Sequence, residues 1–272
     1  MPLTHMTLTV DDRSALRACA HAMADAARAA ILPLFRTNLV SDNKDASGFD
    51  PVTQADRAAE QAMRAVLAEL RPQDAILGEE FGEQSGESGL QWVLDPIDGT
   101  RGFISGTPTW GVLVSVRDAS GVLYGLIDQP YIGERFEGGF GLAEVTGPQG
   151  THPLAVRATT ELAKATILTT FPEVGTPQDG AAFHAVAEKC RLTRYGMDCY
   201  GYALLAVGQV DLVIEAGLSA YDIQAPIAVV QAAGGIVTNW QGGPAHDGGQ
   251  AIAAATPALH AKALDILSRM PA

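Results

Sequence analysis

Cysteine is scarce in this 272-residue sequence, and the three that occur, Cys19, Cys190 and Cys199, are widely spaced. Their number and spacing exclude a disulfide framework and a Cys-x-x-Cys metal site. Basic residues are also few, since 18 Lys and Arg stand against 31 Asp and Glu, giving a formal net charge of −13. Because nucleic-acid binding depends on Lys and Arg that neutralise phosphates, this balance argues against a nucleic-acid partner.

Long apolar runs are missing too. No stretch reaches the length of a membrane span, and the N-terminal residues lack a basic segment followed by an apolar one. We therefore expect a protein without membrane contact, located in the cytoplasm. The hydrophobic content of 47% is enough for a substantial core, and no internal repeat or long linker divides the chain.

The two halves of the sequence have different patterns. In the first half, two helical stretches (residues 11–39, with a possible break at Pro33, and residues 53–70) precede apolar segments separated by Gly and Asp, as in antiparallel strands. In the second half strands and helices alternate, which indicates a sheet covered by helices on both faces. We expect an α/β (α+β) protein with an N-terminal lobe (residues 1–148) and a C-terminal lobe (residues 149–272) packed as one compact unit.

The segment WVLDPIDGTR at residues 92–101 ends an apolar run with two aspartates. Pro96 has no N–H group and should end the strand there, so Asp95 is expected at the end of a buried strand. The following turn can direct Asp95 and Asp98 at one point, and two converging carboxylates need a cation. Taken alone, the same pattern also fits a solvated turn with Asp98 and Gly99 at its tip.

Other acidic residues share this position at the ends of predicted elements, namely Glu79, Glu80, Glu215 and Asp222. Element ends beside a rigid sheet are where α/β enzymes gather catalytic groups. Carboxylate and carbonyl oxygens without neighbouring His or Cys suit Mg²⁺ and disfavour Zn²⁺. The acidic residues together therefore predict a magnesium site.

Three motifs in order, GEE at 78–80, DPIDGT at 95–100 and YDIQAPIAVVQAAGG at 221–235, resemble those of the inositol monophosphatase family. Tyr221 stands where the family commonly has Trp, and residues 224–226 replace an Ala-rich turn, but Asp222 is retained. The resemblance implies the layered αβαβα sugar-phosphatase fold. It also implies Mg²⁺-dependent hydrolysis of a small phosphate monoester, commonly in a homodimer.

The resemblance further implies which residues bind metal. Glu79, Asp95 and the carbonyl of Ile97 would hold one Mg²⁺, and Asp95, Asp98 and Asp222 would hold a second. A third, weaker ion is implied near the Glu79–Glu80 pair. The N-terminal lobe would thus carry most of the metal site.

Catalytic roles follow from the same resemblance. Asp56 and the Thr100 hydroxyl would orient and deprotonate the attacking water, with Glu80 as a further catalytic candidate, in an in-line displacement without a phosphoenzyme. The backbone N–H groups of Gly99 and Thr100 would bind the phosphate. Asp56 has an alternative role as a charge at a helix N-terminus. Lys44 would close over the site from a mobile loop, or is simply an exposed lysine.

Substrate choice should depend on residues that face the leaving group, and the family pattern points to Asp198 and Glu215. Two carboxylates suit a cationic group, and segments 95–111, 125–138 and 195–222 resemble the histidinol-phosphate phosphatase branch. Asp198 could instead cap the following helix, and Arg101 could line the pocket or pair with a surface acid.

Three alternatives to a histidinol-phosphate phosphatase differ in what the site would bind. Glu215 would also suit the hydroxyl groups of inositol 1-phosphate, so an inositol-1-monophosphatase is one alternative. A non-catalytic regulator that keeps the fold and binds an RNA-processing partner is another. Bisphosphate substrates are disfavoured, because Asp198 and Glu215 would repel a second anionic group.

Overall fold

The computed structural model describes residues 3–37, 41–43 and 51–269, and the predicted loop residue Lys44 lies outside these ranges. Seven α-helices occur in the described part: α1 (Val10–Ile31), α2 (Gln54–Leu70), α3 (Thr100–Ile104), α4 (Pro177–Ala187), α5 (Asp198–Ala206), α6 (Ala220–Ala232) and α7 (Pro257–Leu267). A short 3₁₀ helix spans Leu162–Lys164. None of the described helices is long and apolar enough to cross a membrane.

Strands of three to nine residues form three sheets in the described part of the chain. They are β1 (Ser41–Asn43), β2 (Pro51–Thr53), β3 (Ala75–Gly78), β4 (Gly82–Gln84), β5 (Gln91–Asp98), β6 (Gly111–Asp118), β7 (Gly121–Gln129), β8 (Glu134–Gly139), β9 (Leu142–Gly147), β10 (Gly150–Pro153), β11 (Thr166–Thr169), β12 (Leu192–Tyr195), β13 (Leu212–Leu218), β14 (Ile236–Thr238) and β15 (Gly249–Ala254).

The large sheet has eight strands in the order β10-β9-β8-β7-β6-β5-β3-β4. Its pairs are antiparallel except β3–β5, which is parallel. The second sheet has five strands in the order β12-β11-β13-β15-β14, with β11 parallel to both of its neighbours. Strands β1 and β2 form a separate antiparallel pair.

The helices and sheets form five layers, which three hydrophobic cores hold together. Helices α1 and α2 pack on one face of the large sheet. Helices α5 and α6 fill the space between its other face and the small sheet, and α4 and α7 cover the outer face of the small sheet. Alternate strand residues face the two sides, as Ile167 and Leu168 show by joining different cores. The αβαβα layering implied by the family resemblance is therefore confirmed.

The structure corrects two details of the sequence prediction. Strand β5 does not end at Asp95 but continues through Pro96 to Asp98. Its pairing with β6 is irregular between Asp95 and Asp98, and such an irregularity tolerates a residue that lacks an N–H group. The sheet of the first half is not wholly antiparallel either, because strands β3 and β5 pair in parallel.

Helix α1 ends at Ile31, just before the break expected at Pro33. The division at residues 148 and 149 stays a prediction, and strand β10, which follows it, pairs with β9 in the large sheet. The chain therefore leaves that sheet only after Pro153.

A buried ionic network attaches α1 to the large sheet. The Glu137 carboxylate on β8 is fully buried and accepts two hydrogen bonds from Arg17, each 2.7 Å long. It also lies 3.1 Å from His21 Nε2 and accepts the Tyr124 hydroxyl at 2.6 Å. Burial raises the pKa of Glu137, but the bonds from His21, Arg17 and Tyr124 outweigh it and lower the pKa to about 2.

This network predicts a specific acid sensitivity. The pKa of Glu137 falls from its ordinary value of 4.5 to about 2 on folding, so its contribution is complete above pH 4.5 and is lost between there and about pH 2. Glu137→Gln should lower the free energy of unfolding at pH 7 by about 2 kcal/mol. This is less than the cost of breaking a fully buried ion pair, because Arg17 is partly exposed. The free energy of unfolding of the variant should also fall less steeply than that of the wild type as the pH drops below 4.5.

Urea unfolding between pH 3 and pH 7 measures both effects. Glu188→Gln, at an exposed position of the α4 C-terminus, is the control and should behave like the wild type. A Glu137→Gln variant whose stability declines with acid as steeply as that of the wild type would contradict the assignment.

Candidate metal and phosphate site

Three aspartates converge where the large sheet meets α6. One carboxylate oxygen from each of Asp95, Asp98 and Asp222 lies within 4.8 Å of the other two. Asp95 is buried, whereas Asp98 and Asp222 are half-buried. Segments more than a hundred residues apart thus form one acidic cluster.

The parallel pairing of β3 and β5 explains the position of Glu79. Parallel strands end at the same edge of a sheet, and Gly78 lies opposite Leu94 in the ladder. The Glu79 N–H group extends this pairing by donating to the Leu94 carbonyl at 3.2 Å. Glu79 therefore follows β3 beside Asp95 on β5, and both residues line the same cavity.

A bulge in β5 explains how Asp95 and Asp98 face one point. Side chains alternate along a strand, so residues three apart would point to opposite faces. Asp95 pairs with Leu113 and Asp98 with Gly111, so three steps on β5 oppose two on β6. The extra residue offsets the alternation and brings the two carboxylates to one side of the sheet.

Helix starts position the two remaining carboxylates. Asp222 is the third residue of α6, and its Oδ2 accepts the Ser219 N–H group at 2.7 Å. Asp56 occupies the same position in α2, where its Oδ2 accepts the Thr53 N–H group at 2.8 Å. In Asp56 this bond leaves Oδ1 to face Thr100, whose hydroxyl lies 3.3 Å away. The two alternatives for Asp56 are therefore compatible, because Oδ2 binds at the helix start and Oδ1 faces Thr100.

The cluster is electrostatically unfavourable without a cation. Burial raises the pKa of Asp95 well above its ordinary value, and the charges of Glu79, Asp98 and Asp222 raise it further. Burial likewise raises the pKa of Asp98, together with the charges of Asp198 and Asp222. Among the described residues, no hydrogen-bond partner reaches the buried Oδ1 of Asp95.

These donors fit Mg²⁺. Clustered carboxylate oxygens, one of them buried and without a described partner, are what a hard divalent cation requires. The one thiol at the site belongs to Cys199, whose N–H group donates to Asp98 Oδ2 at 2.6 Å. Burial and the charge of Asp98 raise the pKa of this thiol well above its ordinary value, which favours the protonated thiol over the thiolate in the protein without metal.

The turn after Asp98 brings backbone close to the cluster. Gly99 precedes the short helix α3 and has φ of +85°, a conformation that favours glycine. A Cβ atom on Gly99 would lie 2.7 Å from Cγ of Asp198. Glycine is therefore required both by the backbone and by the approach of Asp198.

A cavity of about 370 Å³ extends from the cluster to Glu215 and Asp198. Both oxygens of Glu215 are bound: Oε2 accepts the Thr169 hydroxyl at 3.0 Å, and Oε1 accepts the Thr170 N–H at 2.7 Å and its hydroxyl at 2.9 Å. Burial raises the pKa of Glu215 to about 7 even though these bonds lower it. Burial also raises the pKa of Asp198 to about 6.

Asp198 begins α5 but does not cap it. Met197 occupies the N-cap position, and no side chain caps this helix among the described residues. The Asp198 carboxylate instead lies 3.5 Å from the Thr109 hydroxyl and lines the cavity. The capping alternative for Asp198 is therefore not what the structure shows.

Most of the sequence-predicted site residues meet around this cavity. The lining includes Glu79, Asp95, Ile97, Asp98, Gly99, Thr100, Arg101, Asp198, Glu215 and Asp222. Asp56 lies behind Thr100. Glu80 is not among the lining residues, and its N–H group is directed to Glu60. The chemical roles assigned to these residues stay predictions.

Several lining residues were not predicted from the sequence, including Thr170, Phe171 and Ser219. The Phe171 ring lies at the end of β11 and 4.5 Å from the Arg101 guanidinium carbon. Ser219 carried a detectable signal, because Ser-x-x-Asp before an apolar helix is a capping pattern. Thr170 and Phe171 carried none, since a short strand does not disclose what its end faces.

The model of the inositol monophosphatase family matches residues 12–271. The chain belongs to this family. The chain is 40% identical over 228 residues to the Arabidopsis thaliana protein named bifunctional phosphatase IMPL2, chloroplastic, covering 83% of this chain and 64% of that protein's length. The Streptomyces coelicolor histidinol-phosphatase is 34% identical to this chain, and the match covers 92% of this chain and 96% of that protein's length.

A solved structure of an inositol monophosphatase from Zymomonas mobilis has a TM-score of 0.84 and 38% identity to this chain. The match covers 96% of this chain and 100% of the other. Membership in the family supports a phosphoric monoester hydrolase. Similar relatives bear different substrate names, so family membership alone does not choose the ester.

The acidic cluster predicts that divalent cations stabilise the fold. Mg²⁺ or Mn²⁺ at a hundred times its dissociation constant should add about 2.7 kcal/mol to the free energy of unfolding. Asp95→Asn should lose most of this gain because it removes a central ligand. In EDTA it should be no less stable than the wild type, since it also removes repulsion between carboxylates.

Thermal unfolding in EDTA and in excess Mn²⁺ measures this difference. The control is Asp247→Asn, at a side chain that is 84% exposed. Retention of the full Mn²⁺-dependent gain by Asp95→Asn would rule out Asp95 as a ligand.

Proposed function

We propose that this protein is a Mg²⁺-dependent phosphatase whose substrate is L-histidinol phosphate. The observation that carries the proposal is a pair of acidic residues, Asp198 and Glu215, that lines the same cavity as the cluster of three aspartates. The aspartate cluster suits a metal ion that binds the phosphate, and the pair Asp198 and Glu215 suits a cationic leaving group.

The residues around the cluster can divide the reaction between them. Bound Mg²⁺ would neutralise phosphate oxygens and lower the pKa of a coordinated water. Its ligands would be Glu79, Asp95, Asp98, Asp222 and the carbonyl of Ile97. The Gly99–Thr100 turn would hold the phosphate through backbone N–H groups.

Proton transfer is assigned to Thr100 and Asp56. The Thr100 hydroxyl lies 3.3 Å from Asp56 Oδ1 and 3.2 Å from the Ile97 carbonyl oxygen. It can orient an attacking water with a lone pair while its own proton moves towards Asp56. Because Asp56 Oδ2 is held by Thr53, Oδ1 stays directed at this hydroxyl.

The acidic residues of the cavity have the charge that a cationic leaving group requires. Histidinol carries an ammonium group and an imidazole, and a cation that leaves water needs acidic partners. Asp198 and Glu215 supply two carboxylates within one cavity, and the flat Phe171 ring lines the same space. Burial disfavours the ionised form of each acid, so a bound cation would offset a cost already present in the empty cavity.

A second candidate is an inositol monophosphatase. The chain's 38% identity to the solved Zymomonas mobilis protein favours it, and Glu215 can accept hydrogen bonds from a polyol. A neutral ring, however, adds no opposite charge for Asp198 beyond that of Arg101, which also lines the cavity. For this reason we place the histidinol ester first.

A direct comparison of esters tests the proposal. Purified protein with Mg²⁺ should hydrolyse L-histidinol phosphate with a kcat/KM about tenfold or more above that for myo-inositol 1-phosphate. A preference for the inositol ester would contradict the substrate and leave the metal phosphatase standing. Failure to hydrolyse either ester would contradict the enzymatic proposal and favour a regulator that retains the fold.

Asp198→Asn sharpens this test. Loss of a charged hydrogen-bond partner costs about 1.5–3 kcal/mol, so kcat/KM for L-histidinol phosphate should fall by about 10- to 100-fold. Hydrolysis of myo-inositol 1-phosphate should be unchanged or improved. The exposed-site variant Glu188→Gln provides the control, and an equal loss on both esters would remove Asp198 from leaving-group recognition.

Asp56→Asn separates catalysis from helix capping. Asparagine can still accept the Thr53 N–H bond, so the fold should persist while turnover falls by about 10²-fold or more. Asp12→Asn is a matched control, because Thr9 donates to Asp12 with N–H and hydroxyl distances of 2.8 and 2.6 Å, the same as Thr53 to Asp56.

Turnover under saturating Mg²⁺ and thermal stability are compared for the two variants. Asp12→Asn should keep its turnover and should lose no more stability than Asp56→Asn, because Asp12 is exposed whereas Asp56 is buried. Near-normal turnover in Asp56→Asn would leave this residue only its capping role. The homodimer and the cytoplasmic location stay predictions.

A further inference from the structure

Helix α2 presents three charged residues on the side that faces the cluster. Asp56, Glu60 and Arg64 follow one another at intervals of four, so they lie one above the other on a helix. Asp56 and Glu60 are buried. The first residue contacts Thr100, and the other two contact the segment that carries Glu79.

Glu60 binds the backbone immediately after Glu79. Its Oε2 accepts the Glu80 N–H group at 2.6 Å, and its Oε1 accepts the Phe81 N–H group at 3.2 Å. The carboxylate also lies against Gly78, where a Cβ atom would be 2.0 Å from Oε1. Glu60 thus contacts the residues on both sides of Glu79, and side-chain volume at position 78 is excluded.

Arg64 completes the attachment. Its Nε donates to Glu60 Oε1 at 2.7 Å, and its Nη2 donates to the Gly82 carbonyl at 2.5 Å. The guanidinium group therefore compensates the buried charge of Glu60. It also holds the far end of the turn, where β4 begins.

We infer that Glu60, with Arg64, is a positioning residue that fixes the turn at 78–82 so that Glu79 meets the aspartate cluster, and thereby sets the affinity for divalent metal. Glu60 is not a ligand, because both its oxygens already accept N–H bonds and it does not line the cavity. It acts through Glu79. Outer residues that orient ligands commonly change metal affinity by about 10- to 100-fold.

Two features distinguish this role from general support of the fold. The bonds from Glu60 end on backbone N–H groups of the ligand-bearing turn itself. The same helix also orients Asp56, so one rigid element supports the metal ligand Glu79 and the proposed proton acceptor. Because Glu60 bonds to the turn that carries Glu79, whereas Asp56 is held by Thr53, a substitution at Glu60 should alter metal binding more than it alters the chemical step.

The test is Glu60→Gln in the full-length protein. Glutamine can place an amide N–H₂ group against a backbone N–H donor and cannot pair with Arg64 by charge. The dissociation constant for Mn²⁺, measured by electron paramagnetic resonance without substrate, should rise about tenfold. The Mg²⁺ concentration for half-maximal activity should rise similarly, while kcat at saturating Mg²⁺ stays within about threefold.

Glu69→Gln, at an exposed position of the same helix, is the matched control and should bind Mn²⁺ like the wild type. Unchanged Mn²⁺ affinity in Glu60→Gln, whether or not its melting temperature falls, would overturn the inference. If Glu60→Gln does not fold, Arg64→Lys decides. It keeps the positive charge but loses the fork that reaches Gly82, and should weaken Mn²⁺ binding about threefold, whereas unchanged affinity would overturn the inference.

The inference rests on the proposed metal site, and the experiment separates the two. A wild-type protein that binds no Mn²⁺ would refute the metal site itself. A wild type that binds Mn²⁺, with variants that bind it equally well, would refute only the role of Glu60.

Discussion

The repulsion between carboxylates that share one site is the constraint on which the rest of this structure depends. Two unit charges about 5 Å apart interact by about 3 kcal/mol at an effective dielectric constant near 20. Three such pairs approach the total stability of an ordinary domain, about 5–15 kcal/mol. The fold tolerates Asp95, Asp98 and Asp222 together because neutralisation is available, either by protons, as their raised pKa values show for Asp95 and Asp98, or by a divalent cation.

The elements that bring these charges together are held by ordinary local interactions. An aspartate at the third helical position accepts the N–H group of the N-cap residue in α1, α2, α4 and α6. In α1 and α4 the bond only begins a helix. In α2 and α6 the same bond also fixes the direction of a carboxylate at the site, so one motif serves stability and function with no change in its local chemistry.

Site residues that lie close together in the chain were easier to predict from the sequence than residues that only the fold brings together. Asp95, Asp98 and Gly99 lie within one five-residue segment, in which a proline and a glycine limit the conformations open to the backbone. Glu79 and Asp222 stood out by their position at the ends of predicted elements, and the family motifs assigned them to one metal site although they lie far apart in sequence. The parallel pairing of β3 with β5 was not predicted even with these motifs, because it depends on which strands become neighbours in space.

Other parts of the site have no local sequence signal. Glu60 looks like an ordinary helical glutamate until the turn that it binds is placed beside it. Phe171 follows a four-residue strand, too short to indicate the direction of what comes after. The bulge in β5 shows only in the pairing with β6, and for that reason the strand was predicted to end too early.

The backbone of Asp198 is strained at a position that we propose recognises the leaving group. Its φ of +45° lies in the left-handed region, which costs a non-glycine residue about 1 kcal/mol or more, although aspartate tolerates it better than most. A search for heat-resistant variants would therefore favour glycine here, and would remove a carboxylate from the cavity in the same step. Under the proposed role of Asp198 in leaving-group recognition, laboratory evolution for robustness alone is expected to drift towards a less discriminating enzyme.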